Sequence, residues 1–212
     1  MGTARSVGIT LEQTLPAVNE EAAFIGELCA GSQEAFTYLL AVYQHPVFNL
    51  VSHIVENAAD ASDVLQDVFV KVFKGIKGFN GESSLRTWIY RIAVHEASNH
   101  RRSWIRRHWR EPISMDDTES PSAAVASEAA SNERSPYQVF EQAEREVVIK
   151  RALASLAPPY RAVVVLREIE ELSYEEIAQV LGVAEGTVKS RLLRGRELLR
   201  RKLASYVGKD HV

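Results

Sequence analysis

Cysteine is nearly absent from this chain. Cys29 stands alone, so neither an intrachain disulfide nor a cysteine-built zinc cluster can form. A single thiol suits a reducing cytoplasm, which is the expected location. Long apolar runs are missing too, and no stretch reaches the length needed to span a bilayer. The N-terminus has no basic flank leading into an apolar core, which predicts a soluble chain with no cleavable export signal and no membrane insertion. No internal repeat is visible. Nor is there a nucleophile–base pair, a metal-ligand cluster or a phosphate-cradling glycine loop, so no catalytic centre, metal or other cofactor is expected. His45 and His53 have no carboxylate or cysteine at ligand spacing and read as surface or core residues.

Net basic charge is also lacking. Against 25 Lys and Arg stand 28 Asp and Glu, a formal balance of −3, which by itself argues against nucleic acid. The average hides a segregation. Arg86, Arg91, Arg101, Arg102, Arg106, Arg107 and Arg110 face only Glu96 and, at the edge, Glu111. Beyond them come Asp116, Asp117, Glu119, Glu128 and Glu133. Phosphate contact follows the local field, not the total.

What is present is helical periodicity, and it predicts an all-α chain of two small helical domains. Residues 1–18 carry no pattern and read as a flexible extension. A first domain covers 19–103, a flexible linker 104–136, a second domain 137–207, and 208–212 form a tail. Gly31 ends a first short helix, and Ser32 opens a longer one carrying Phe36, Leu39, Tyr43, Val47, Leu50 and Ile54. Pro46 lies inside it, and a kink or break is expected near Gln44–His45. A third helix opens at Asp60, with Val64, Leu65, Val68, Phe69, Val72, Phe73 and Ile76 as its apolar face. Its other side presents Asp63, Gln66, Asp67 and Val70: an acidic stripe with a valine in the middle, equally readable as a solvated face or as a protein-docking face. A glycine-punctuated loop and a serine cap then precede a basic helix from about Leu85 to Arg102. Trp88 is expected inside, and Tyr90 and Val94 on outer faces. Basic groups interleaved with aromatics suit single-stranded DNA as well as plain solvent.

The most informative stretch is Leu172–Leu203. Ser173 with Glu176 forms a capping box, Ile177, Ala178 and Leu181 make one buried stripe, and Gly182 sits where a helix end favours positive φ. A second helix starts near Glu185 and buries Val188, Leu192, Leu199 and Leu203, leaving Lys189, Arg191, Arg194 and Arg196 off that seam. This is the pattern of a helix-turn-helix whose second helix enters the major groove. Ala184, at the expected N-cap of that helix, offers no capping oxygen.

With both halves in view, the sequence resembles the extracytoplasmic-function (ECF) class of bacterial sigma factors in the sigma-70 family. Asp60–Arg102 resembles sigma region 2, and Leu156–Leu203 resembles region 4. The resemblance implies three roles. Asp63, Gln66, Asp67 and Val70 would dock on the RNA polymerase core; the family more often has Glu where this chain has Asp67. Asn80, Ser83, Ser84, Arg86 and Arg91 would capture the melted non-template strand at the minus-ten promoter element, with a base flipped into a pocket. Thr187, Lys189, Ser190, Arg191 and Arg194 would read the minus-thirty-five element as duplex. It further implies an anti-sigma factor as a partner and a linker threading toward the polymerase active site. The competing readings are a dimeric helix-turn-helix regulator acting without polymerase and, more distantly, a metal-dependent enzyme using Asp60, Asp63 and Asp67.

Overall fold

A computed structural model describes residues 18–55, 58–108 and 136–207. Among the described residues the secondary structure is helical, with no strand. The first bundle comprises α1 (Val18–Ala30), α2 (Gln33–Ile54), α3 (Ala58–Gly75) and α4 (Leu85–His108). The second comprises α5 (Pro136–Ala154), α6 (Pro158–Val164), α7 (Tyr174–Leu181) and α8 (Glu185–Val207).

Local chemistry sets the boundaries. Gly31 adopts φ +85° between α1 and α2, and the Ser32 hydroxyl accepts from the Ala35 amide at 3.2 Å to cap α2. Pro46 does not break that helix, which runs unbroken to Ile54. Tyr43, Val47, Leu50 and Val51 are buried on both sides of the proline, and their packing outweighs one missing backbone donor. The Ser84 hydroxyl accepts from the Thr87 amide at 3.1 Å, and Glu21 of α1 accepts from the Leu85 amide at 3.2 Å. The N-terminus of α4 is thus fixed twice.

Three further expectations are corrected. Helix α4 continues five residues past the anticipated boundary at 103 to His108, because Trp104–His108 contains no glycine or proline and extending a formed helix is cheap. Phe73 is not in the core but 61% exposed: it lies at the edge of a face too broad to be covered fully, against the Phe36 ring at 4.8 Å. The third concerns Tyr90 and Val94, which are 0% and 7% exposed, not outward. The second bundle covers them. Residues 1–17 of the extension assigned to 1–18, residues 109–135 of the linker assigned to 104–136, and the tail (208–212) lie outside the described residues.

The two bundles pack against each other and share one hydrophobic core. Helix α7 lies on α4, and α2 meets α5, α6 and the segment after α6. Arg161 of α6 is 1% exposed and donates to the Ile54 carbonyl of the first bundle at 2.9 Å. It also reaches the carbonyls of Ala154 and Leu156. Helix α6 stops at Val164. Val165–Ile169 form a π-helical turn, closed by the Glu170 amide donating to the Val165 carbonyl at 3.1 Å. Glu171 follows at φ +57°, a left-handed conformation rare for a side chain of that kind. On the other side α8 approaches α6 closely at Gly195, where a Cβ would stand 2.7 Å from Val164 Cγ2.

Candidate nucleic-acid interface

Three surfaces carry the residues singled out from the sequence. On α3, Asp63, Gln66, Asp67 and Val70 share one exposed face, with Val70 48% exposed. Phe73 extends the same row by one turn. Sequence reasoning assigned it to the core; its spacing from Val70 and Gln66 is the signal that places it on this face. Lys71, beside the row, pairs with Glu96 of α4 at 2.6 Å. Burial works against the Glu96 charge, but the hydrogen bonds from Lys71 and His95 outweigh it and hold its carboxyl below the usual range.

The loop before α4 is internally ordered. Asn80 Oδ1 accepts from the Glu82 amide at 3.3 Å, and Gly81 takes φ +74°, an Asx-type turn. Ser83 and Ser84 follow, the second engaged as the α4 cap. Arg91 is exposed and lines a groove of about 620 Å³ together with Lys71, His95, Asn99 and Arg102 of the first bundle and Val180, Leu181 and Gly182 of the second. Arg86 points elsewhere. Its guanidinium donates to the Glu170 carbonyl at 3.0 Å and to the Tyr90 hydroxyl at 3.5 Å. The Glu170 carboxylate lies 3.8 Å from Arg86 and accepts from the Tyr90 hydroxyl at 2.6 Å. Desolvation raises the Tyr90 pKa, reinforced by Glu170. Sequence reasoning missed Glu170 and left Tyr90 outside, because they lie eighty positions apart and no local pattern joins them.

In the second bundle the expected helix-turn-helix is present. The Ser173 hydroxyl accepts from the Glu176 amide at 3.2 Å, and Glu176 accepts from the Ser173 amide at 2.8 Å. Gly182 ends α7 at φ +63°, and the Ala184 carbonyl accepts the first amides of α8 from Thr187 and Val188. Val188 and Leu192 are buried, with Leu199 packed on the core. Thr187, Ser190, Arg191 and Arg194 recur along one side of α8, and Ser190 and Arg194 are exposed. Lys189 is on the other flank, 3.6 Å from Glu185 and over the Tyr174 ring at 5.7 Å. Leu193, not singled out from the sequence, is 72% exposed between Ser190 and Arg194. No group of metal-ligating side chains occurs among the described residues, and none of their helices is long and apolar enough to cross a membrane.

A capped helix-turn-helix whose second helix exposes arginine and serine defines a DNA-binding class of protein. Comparison with known proteins makes this specific. The family model "Sigma-70 region 2" matches residues 39–111, and "Sigma-70, region 4" matches 146–199. The ECF RNA polymerase sigma-E factor of Escherichia coli is 36% identical over 177 residues, 84% of this chain and 91% of that protein. The RNA polymerase sigma-H factor of Pseudomonas aeruginosa is 35% identical over 173 residues, 82% and 88% of the two chains. Among solved structures, CnrH bound to the cytosolic domain of CnrY aligns with TM-score 0.62 at 22% identity, covering 87% of this chain and 97% of that one. RpoE bound to the anti-sigma factor NepR from Bartonella quintana aligns with TM-score 0.57 at 24% identity, covering 80% and 96%. The chain belongs to the extracytoplasmic-function class of the sigma-70 family. Sigma factors are transcription initiation factors and not enzymes.

Proposed function

We propose that this sigma factor binds core RNA polymerase through α3, captures the melted minus-ten strand through the 79–84 loop and α4, and reads the minus-thirty-five duplex through α8. The observation that carries the reading is the pairing, on one chain, of a capped helix-turn-helix with an exposed acidic row interrupted by Val70 and Phe73. A DNA-binding regulator acting alone has no use for the second feature. Large exposed apolar side chains flanked by charge are the composition of a protein-docking patch. On α4, Arg86 and Arg91 supply phosphate-binding charge, while Asn80, Ser83 and Ser84 sit at the loop where an extruded base would be held. On α8, Arg194 and Ser190 point outward for base or phosphate contact, flanked by Thr187 and Arg191, and Lys189 is suited to a phosphate at the groove edge. The family likeness, with RpoE solved on its anti-sigma factor NepR, supports an anti-sigma partner acting in the cytoplasm.

Reversing charge at Asp63 and Asp67 to Lys tests the reading. The double variant is expected to lose core-polymerase binding in native electrophoresis while keeping duplex binding by α8. Retained holoenzyme formation overturns the α3 assignment. Run-off transcription with core enzyme on a genomic library, with start sites mapped, then identifies the promoter elements.

A further inference from the structure

The loop between α3 and α4 has to present a fixed shape if a base is to be held in it, yet its own sequence gives it little order. Gly75, Gly78 and Gly81 punctuate it, and glycine loses more conformational freedom on ordering than any other residue. The tip, Asn80 to Glu82, is exposed. Within the loop and its helix the ties are the Asn80 turn, the Ser84 cap on the Thr87 amide, and the Phe79 ring against Trp88 at 5.4 Å.

A second set of ties comes from α1. At the start of the loop the half-buried Cys29 thiol donates to the Ile76 carbonyl at 3.3 Å. At its end a Glu21 carboxylate oxygen accepts from the Leu85 amide at 3.2 Å, one of the donors that the first turn of α4 cannot satisfy within the helix. Glu21 and Cys29 stand eight positions apart, about 12 Å along the helix axis. The two ends of the loop are thus held at two separated points of one helix, which is itself seated by the buried Leu28 with Phe24 and Ile25 packed on the core. A carboxylate beside a nucleic-acid strand repels phosphate. The place of Glu21 is accounted for instead by the amide it accepts and by the partial positive charge at the N-terminus of α4.

We propose that α1 is a brace for the minus-ten loop, with Glu21 as a positioning residue that fixes the start of α4 and Cys29 as a lesser one that fixes the turn after α3. The proposal rests on the reading of residues 79–84 as the base-holding loop, and adds that the loop is ordered before the strand arrives. Neither residue need touch the strand. A loop already in shape avoids the entropy of ordering at the moment of capture, whereas a loosened loop meets that cost each time.

The test uses the full chain and its Glu21→Ala, Glu21→Gln, Cys29→Ala and Cys29→Ser variants, each melted by circular dichroism. Amide hydrogen exchange of the free chain, read on peptides spanning 76–87, reports order in the loop. Opening is then followed in holoenzyme made with bacterial core polymerase, on a promoter mapped by run-off transcription and carrying a fluorescent base analogue in the minus-ten element. Glu21→Ala is expected to speed exchange across the loop and to slow opening about two- to tenfold, the net worth of one hydrogen bond. Core binding and affinity for the minus-thirty-five duplex should be unchanged. Glu21→Gln loses the same charge but keeps an acceptor, so its exchange should be native and its opening at least as fast as that of the native chain. Cys29→Ser keeps a donor and should behave as native, with Cys29→Ala showing a smaller loss, because a thiol is a weak donor. Should Glu21→Ala fail to fold, the Cys29 pair decides by the same two readings. Unaltered exchange in the Ala variants overturns the proposal. So does faster exchange with an unaltered opening rate, which would make the brace structural only, or a Glu21→Gln chain as slow as Glu21→Ala. A native holoenzyme that assembles and opens no promoter strikes the minus-ten reading itself, and the proposal with it, before any variant is compared.

Discussion

Helices α3 and α4 belong to one bundle, yet their outer faces meet different surroundings. On α3 the row Asp63, Gln66, Asp67, Val70 and Phe73 lies open, with two apolar side chains left in water. On α4 the corresponding turn toward the second bundle is sealed, with Tyr90 and Val94 buried and Arg86 engaged by Glu170. Leaving Val70 and Phe73 exposed forgoes burial worth about 25 cal/mol per Å², a cost recovered only when something external covers them. The turn of α4 that carries Tyr90 and Val94 already has its cover, supplied by the same chain, while Arg91 stays exposed.

The sharpest way to break the comparison is to remove the apolar part of the open face. Val70→Ser with Phe73→Ser is expected to weaken core-polymerase binding by about 2–4 kcal/mol, the scale of central interface residues. The melting temperature should move by only a few degrees, since both side chains are largely exposed already. Titration of labelled protein onto core enzyme measures the first quantity and calorimetry the second. If stability fell while binding held, Phe73 would be a core residue after all, and the contrast with α4 would disappear.

On the sealed face the matching change is Tyr90→Phe, which keeps the ring and deletes the hydroxyl. The hydrogen bond to a carboxylate is worth about 1.5–3 kcal/mol, and its loss leaves Glu170 short of a donor in a buried site. Denaturant unfolding followed by helical circular dichroism should therefore show a lower midpoint, and the radius of gyration should rise. An unchanged midpoint would mean that Glu170 finds water or another donor without cost.

How much of this was legible in the sequence follows from range along the chain. The α7–α8 unit was readable because each of its signals is local: Ser173 and Glu176 lie one turn apart, and Gly182 ends the helix that they begin. The α3 row was readable from spacing alone. The burial of Tyr90 was not, because its partner is contributed by another domain, and a lone tyrosine on a basic helix carries no trace of that contact. Pro46 misled for a related reason. Its local cost is real, but the burial of Tyr43, Val47 and Leu50 is a tertiary gain that exceeds it. Phe73 and Leu193 show the limit of periodicity, which locates a stripe well and its edges poorly.

A smaller effect belongs to neither face and so isolates the second bundle from the docking. Ala184 holds the N-cap position of α8, its carbonyl accepting from the Thr187 and Val188 amides while its side chain accepts nothing. Ala184→Ser should raise the stability of the chain by about 0.5–2 kcal/mol. The radius of gyration should be unaltered, because Ala184 is exposed. A lower or unchanged melting temperature would place the cap elsewhere.

The finest effect is the response of the sealed face to pH. Burial pushes the Glu170 carboxyl above its usual range, and the Tyr90 hydroxyl and Arg86, both facing it from α4, draw it back only in part. The docked chain therefore holds this proton more tightly than a separated chain does. The contribution of Glu170 to docking is complete below the ordinary carboxylate range and is lost as pH rises through the raised one. His53 acts in the opposite sense. Burial lowers its pKa, the Asn49 carbonyl opposing, with Lys150 and Glu146 of α5 nearby, so its contribution is lost as pH falls through the histidine range. Comparing the native chain with Glu170→Gln removes the His53 effect from the difference. Scattering from about pH 4 to 6 should then show the native chain expanding slightly relative to Glu170→Gln as pH rises. Contraction of the native chain relative to Glu170→Gln would mean that Arg86 dominates the Glu170 site, making the contact between the bundles an ion pair and not a buried carboxyl–tyrosine pair.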